Sequence, residues 1–114
     1  MITQEQIEVK QKEAEDKASE LSQSLNLKIQ PVIFLEDEEI IVGFMREPDR
    51  NTKTMYLDMA QMKGLASASS QLVELLLLKE GDYERILKND NHFFGACGKV
   101  NQMIQASQDQ FKKK

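Results

Sequence analysis

The side chains best equipped for bond-making chemistry are His92 and Cys97, the one histidine and the one cysteine of the chain. Brought together, an imidazole and a thiol make a base and a nucleophile. They lie five positions apart on what reads as a single helix. At 3.6 residues per turn that is about 140° around the axis, so they form no such pair within the helix. The expectation is a solvated His92 in the first helical turn and a Cys97 that serves as a small buried apolar side chain. With no second cysteine and no ligand set beside it, Cys97 suggests neither a disulfide nor a metal cage.

Carboxylates are the next source of chemistry, and Glu36-Asp37-Glu38-Glu39 concentrates them. A calcium loop needs alternating ligands and a turn glycine, and both are missing. The run reads as a solvated hairpin turn whose charges also keep a strand edge from sticking to other chains. Gly64 and Gly81 stand where helices should end, and no P-loop lysine follows them, so they cradle no phosphate. Gly95-Ala96-Cys97-Gly98 reads as a place of close helix packing. Lys112-Lys113-Lys114 complements the dipole at the end of a helix.

The overall balance removes further classes. Against 19 acidic residues stand 15 basic ones, a net charge of -4 and a pI near 5.0, which opposes nucleic-acid binding. The longest apolar stretch, Leu75-Leu76-Leu77-Leu78, is far short of the ~20 residues that span a bilayer. The polar, acidic start Met1-Ile2-Thr3-Gln4-Glu5-Gln6 is unlike a signal peptide. The expectation is a cytoplasmic, non-catalytic protein with no cofactor, no metal, no membrane segment and no nucleic-acid partner. Its activity would come from apolar surface meeting another protein.

The elements that would carry such surface form an α+β fold, expected as one domain over residues 1–114. Residues 1–25 read as an amphipathic helix, opened by a Thr3 and Gln6 capping box. Ile7, Ala14, Ala18, Leu21 and Leu25 keep heptad spacing along it. This narrow seam is expected to pack back on the domain, while a homodimer through it stays open as the alternative. Residues 29–46 read as one antiparallel β-hairpin, Ile29 to Leu35 and Ile40 to Met45, closed by Pro48 and covered on one face by helices. Residues 51–111 read as three to four helices packed on the hairpin. The first is capped by Asn51 or Thr52 and ended by Gly64. The next starts at Ser67 or Ser69, carries the leucine run Leu72 to Leu78 into the centre of the fold, and ends at Gly81. A short one follows, capped by Asp82 and holding Tyr83, Ile86 and Leu87. The last runs from about Asn91 to Phe111, with Phe93, Cys97, Val100, Ile104 and Phe111 on one face.

From the hairpin onward this order resembles the small tail-assembly chaperones of long-tailed bacteriophages and prophages. The residues that carry the likeness are Val42-Gly43-Phe44-Met45-Arg46-Glu47-Pro48, then the helix ending near Gly64 and the leucine-rich helix Leu72 to Leu78. Gly81-Asp82 before Tyr83-Glu84-Arg85-Ile86-Leu87, and Asn89-Asp90-Asn91 opening the last helix, complete it. The likeness spans roughly residues 30 to 105 and rests on order and spacing rather than on one motif. It implies a protein that holds the long, helical, aggregation-prone tape-measure protein and helps recruit tail-tube subunits. The N-terminal helix is longer than that pattern.

For such a role the candidate partner-binding residues are Phe93, Phe94, Met103 and Phe111 on the last helix, with Met55, Met59 and Met62 behind them. Methionines at i, i+4 and i+7 adapt to varied partners, although in a small domain such a stripe reads first as core filler. Two other readings remain open. One is a dimeric structural or adaptor subunit that uses the N-terminal heptads. The other is an acidic secretion-type chaperone, a group whose members carry more strands than the two seen here.

Overall fold

The computed structural model describes residues 2–36 and 39–112, with side chains placed at all of these except 36 and 107–112. Its architecture is α+β, with five helices and one two-stranded antiparallel hairpin among the described residues. The apex of the expected acidic turn, Asp37 and Glu38, and the side chain of Phe111 lie outside that description.

Helix α1, Gln4–Leu25, starts as its sequence dictates. The Thr3 hydroxyl accepts from the Gln6 amide at 3.1 Å, and the Gln6 side chain accepts from the Thr3 amide at 2.9 Å. Asn26 ends the helix in the left-handed region at φ 54°, which asparagine tolerates better than most residues. Strand β1, Ile29–Glu36, then pairs with β2, Glu39–Arg46, in a register that sets Ile33 opposite Val42. Alternation along the pleat gives the hairpin two apolar faces. Val32, Phe34, Ile41 and Met45 point one way, and Ile29, Ile33, Val42 and Phe44 the other.

Helices cover both faces, where only one covered face was expected. On the second face Ala14 and Ala18 of α1 are buried against Ile29 and Phe44, with Leu21 beside them. Alanine suits these positions because a larger side chain would hold the helix off the sheet. Ala14, Ala18 and Leu21 of the seam therefore pack on the chain's own hairpin, while Leu25 at its end is exposed. On the first face lies the main core, built from Leu72, Val73, Leu76, Leu77, Ile86, Ala96 and Val100.

In the helical part Gly64 ends the first helix as expected, and several other ends differ from expectation. Helix α2, Arg50–Lys63, is capped by Asp49 rather than by Asn51 or Thr52: the Asp49 carboxylate accepts from the Thr52 amide at 2.8 Å. That amide, then the Thr52 hydroxyl, hold the Asp49 carboxyl below its ordinary pKa, with Arg46 adding a smaller attraction against slight desolvation. Helix α3, Leu65–Leu76, begins directly after Gly64, earlier than Ser67 or Ser69. Gly64, at φ 96°, stands between the two helices as the C-cap of one and the N-cap of the next. The hydroxyls of Ser69 and Ser70 instead bond back to the carbonyls of Leu65 and Ala66.

Helix α3 also stops at Leu76, well before Gly81. Leu77 forms an antiparallel bridge with Met45, and the Leu78 amide donates to the Phe44 carbonyl at 2.8 Å. The Asp82 amide donates to the Val42 carbonyl at 2.8 Å, and the Asp82 carboxylate accepts from the Val42 amide at 2.8 Å. Segment 77–82 thus lies along the outer edge of β2 and satisfies its backbone, so Asp82 makes no side-chain cap to α4, Tyr83–Lys88. Gly81, at φ 62°, lets this segment approach. A Cβ there would stand 2.6 Å from the Val42 carbonyl oxygen. Arg85 of α4 and Glu39 of β2 form an ion pair at 2.6 Å, both about half exposed.

Helix α5, Asp90–Lys112, closes the main core. The Asn89 side chain accepts from the His92 amide at 3.1 Å at its start. Farther along, Asn101 accepts a hydrogen bond from the Tyr56 hydroxyl, tying α5 to α2. Burial pushes the Tyr56 phenol above its ordinary pKa.

Candidate partner-binding surface

Tyr56 and Thr52 mark the buried side of α2, where it packs chiefly on α3. At 100° per residue Met59, Met55 and Met62 lie about 60°, 100° and 120° round the axis from Tyr56, on one flank of that buried side. The consequence is graded exposure: Met59 is half-buried against the main core, Met55 is exposed, and Met62 is 81% exposed. The three line a shallow groove of about 450 Å³ together with Asn51, Thr54, Asp58 and Lys63. Apolar, deformable side chains thus share the groove with polar groups of both signs.

The α5 candidates separate. Phe94 is 70% exposed, the most exposed aromatic ring among the described residues. Phe93 is half-buried and packed against the main core. Met103 is only 7% exposed, so it is a core residue and not a contact for a partner. The reason is its angle: Met103 follows Ala96 by seven positions and Val100 by three, which puts it within the arc that faces the core. Phe94 does not line the α2 groove. The structure therefore unites Met55, Met59 and Met62 in one surface, leaves Phe94 exposed on another helix, and turns Phe93 and Met103 inward.

His92 also departs from expectation. It is 6% exposed, and its ring stacks on Phe34 of β1 with centroids 5.0 Å apart at 29°. Helix α5 begins at Asp90, so His92 falls on the arc facing β1. Gly95, one turn later, makes room for the same ring: a Cβ there would overlap Phe34. The glycines at 95 and 98 were read as a helix-packing surface, and the structure gives them different roles. Gly95 meets a strand residue, and around Gly98 there is open space. A glycine three positions after a histidine was the signal for this stack, but nothing local pointed to Phe34 as its partner.

Cys97 is buried, as its apolar context implied, with its sulfur 3.9 Å from the Ser70 hydroxyl oxygen. Among the described residues no group of three or more His, Cys, Asp or Glu side chains is placed to hold a metal ion. Among them, too, no helix is long and apolar enough to cross a membrane. A second groove, of about 480 Å³, lies where Ile2, Val9 and Lys10 near the start of α1 meet Ile40 of β2. Leu57, Leu65 and Leu75 are exposed apolar residues that sequence reasoning did not select. Leu75 belongs to a run that reads as wholly central, and a continuous apolar run offers no contrast by which its outward member could be identified.

Comparison of the chain with protein-family models, with curated proteins and with solved structures returns no match.

Proposed function

We propose that this protein is a non-catalytic holding protein that binds an apolar helix of a larger partner through the methionine groove of α2. In the biological setting implied by the resemblance to phage tail-assembly chaperones, the partner is a tape-measure-like protein kept soluble in the cytoplasm before the tail tube forms around it. The observation that carries the reading is the outward position of Met55 and Met62 beside the half-buried Met59. Exposing flexible thioethers in a groove shared with polar groups has little to offer the isolated fold and suits a surface that is covered in a complex. Phe94 on α5 provides a second apolar contact of the size expected for an interface anchor.

The test is co-expression with a long helical tape-measure protein, measuring how much of that partner stays soluble. The native chain should raise the soluble yield. Met55→Glu with Met62→Glu should remove the gain while the variant keeps its native circular dichroism and melting behaviour, because both side chains already face water. A native chain that leaves the yield unchanged, or a folded double variant that works as well as the native one, would end this reading.

A further inference from the structure

The two edges of the hairpin are treated differently. Segment 77–82 of the same chain bonds to the Val42 and Phe44 backbones, which shows that these two residues point away from β1. In an antiparallel ladder directly opposite residues point outward together, and outward positions recur every second residue. The register pairs Val42 with Ile33 and Phe44 with Pro31, so the outward positions of β1 are Ile29, Pro31, Ile33 and Leu35. Ile29 confirms the alternation, because its amide donates to the Ser22 hydroxyl at 3.0 Å. Pro31 has no amide hydrogen. Ile33 and Leu35 are left with outward amides and carbonyls that have no partner among the described residues. Leu35 is 55% exposed.

This open stretch runs beside α1. Glu15, Ser19 and Ser22 of α1 line a groove of about 430 Å³ with Ile29 and Pro31. Glu8 lies seven positions before Glu15 on the same side of the helix, and Gln11, between them in height, lies about 40° nearer the sheet than Glu15. The wall nearest the edge therefore carries Glu8 and Glu15 and, about 40° round from Glu8 and 60° from Glu15, Lys12, which leaves it with one net negative charge. Acidic charge along an unpaired strand edge selects against a second copy of this chain. Antiparallel pairing of two β1 edges centred on Phe34 would bring the Glu36 end of each strand toward Glu15 of the other.

We propose that the outer edge of β1 takes an extended segment of another protein as a third strand. That segment carries lysine or arginine at the alternate positions that face α1. Main-chain bonds to Ile33 and Leu35 supply the register, and Glu8 and Glu15 supply the charge preference. This surface is separate from the methionine groove, and its occupant is extended rather than helical.

The experiment uses the full chain and two capped synthetic octapeptides, one alternating lysine with valine and one alternating glutamate with valine. Amide exchange is followed residue by residue. With the lysine peptide at ten times its dissociation constant, the Ile33 and Leu35 amides should exchange about tenfold more slowly. The glutamate peptide should leave them unchanged. The variant Glu8→Lys with Glu15→Lys alters two exposed residues, keeps the fold, and should reverse the preference. Three results would overturn the proposal: both amides exchanging freely with the lysine peptide, equal protection by it in the double variant, or protection without peptide in a species that sediments as a dimer.

Discussion

Replacing Gly81 by alanine tests how segment 77–82 is held against β2. The residue sits at φ 62°, where a non-glycine residue costs about 1–2 kcal/mol. The new Cβ would also meet the Val42 carbonyl oxygen at 2.6 Å, and that oxygen is the acceptor for the Asp82 amide. Relieving the overlap stretches the hydrogen bond, worth about 1 kcal/mol net. The two effects sum to about 2–3 kcal/mol, because one displacement produces the second and neither can be avoided by turning a side chain. For a chain of 114 residues, unfolding entropy of about 2.1 cal/mol/K per residue converts this to a melting point lower by about 10 °C. Gly98→Ala is the matched control. It lies inside α5 with nothing within 4 Å of the new Cβ, and should stabilise by about 0.5–1 kcal/mol through helix propensity. Both are read by thermal and urea denaturation, with amide exchange at Val42 and Asp82 reporting locally. If Gly81→Ala changes stability by less than about 0.5 kcal/mol, or if the two alanines behave alike, the account of this edge is wrong.

Three further outcomes follow from the packing and the caps. Asp49→Ala should destabilise the chain at neutral pH. The folded carboxyl titrates below its unfolded value, so its contribution is present above the unfolded pKa and fades as pH falls through the folded one, and the gap between native and variant in urea titrations should narrow in acid. Tyr56→Phe should cost about 1 kcal/mol by removing the bond to Asn101, and the native phenol, watched by ultraviolet absorbance, should ionise above the ordinary range for tyrosine. Ala18→Asp would place a carboxylate in the Ala14, Ala18, Ile29 and Phe44 cluster; amide exchange should then show α1 opening while the α3 and α5 amides stay protected, and uniform loss of protection would contradict two separate cores.

What could be read in the sequence depended on how local its cause was. The capping box of Thr3 and Gln6 and the alternation of the hairpin are fixed within a few residues, and each stands in the structure. The end of α3 is not local. Leu75 to Leu78 continue a helical pattern without a break, and the helix stops because the Phe44 carbonyl and the Met45 edge offer the backbone another partner. The Asp49 cap was missed because Asn51 and Thr52 are also good caps close by, and only the backbone path after Pro48 decides among them. At the candidate surface, Met62 and Phe94 carry no pattern that separates exposed from buried. Met103 could have been assigned to the core from its spacing to Ala96 and Val100.

The single residue between α2 and α3 has a mechanical consequence. Two consecutive helices usually share a loop whose several torsions can trade against one another, but here the torsions of Gly64 alone, at φ 96° and ψ 163°, carry the change of direction. The orientation of α2, and with it the bearing of the thioether groove, is geared to one pair of dihedral angles. A side chain at position 64 would meet no neighbour within 4 Å, yet it would still be disfavoured at that φ. Its effect would reach the core as well as the groove, because Tyr56 and Thr52 on the same helix are buried and Tyr56 is tied to Asn101 of α5.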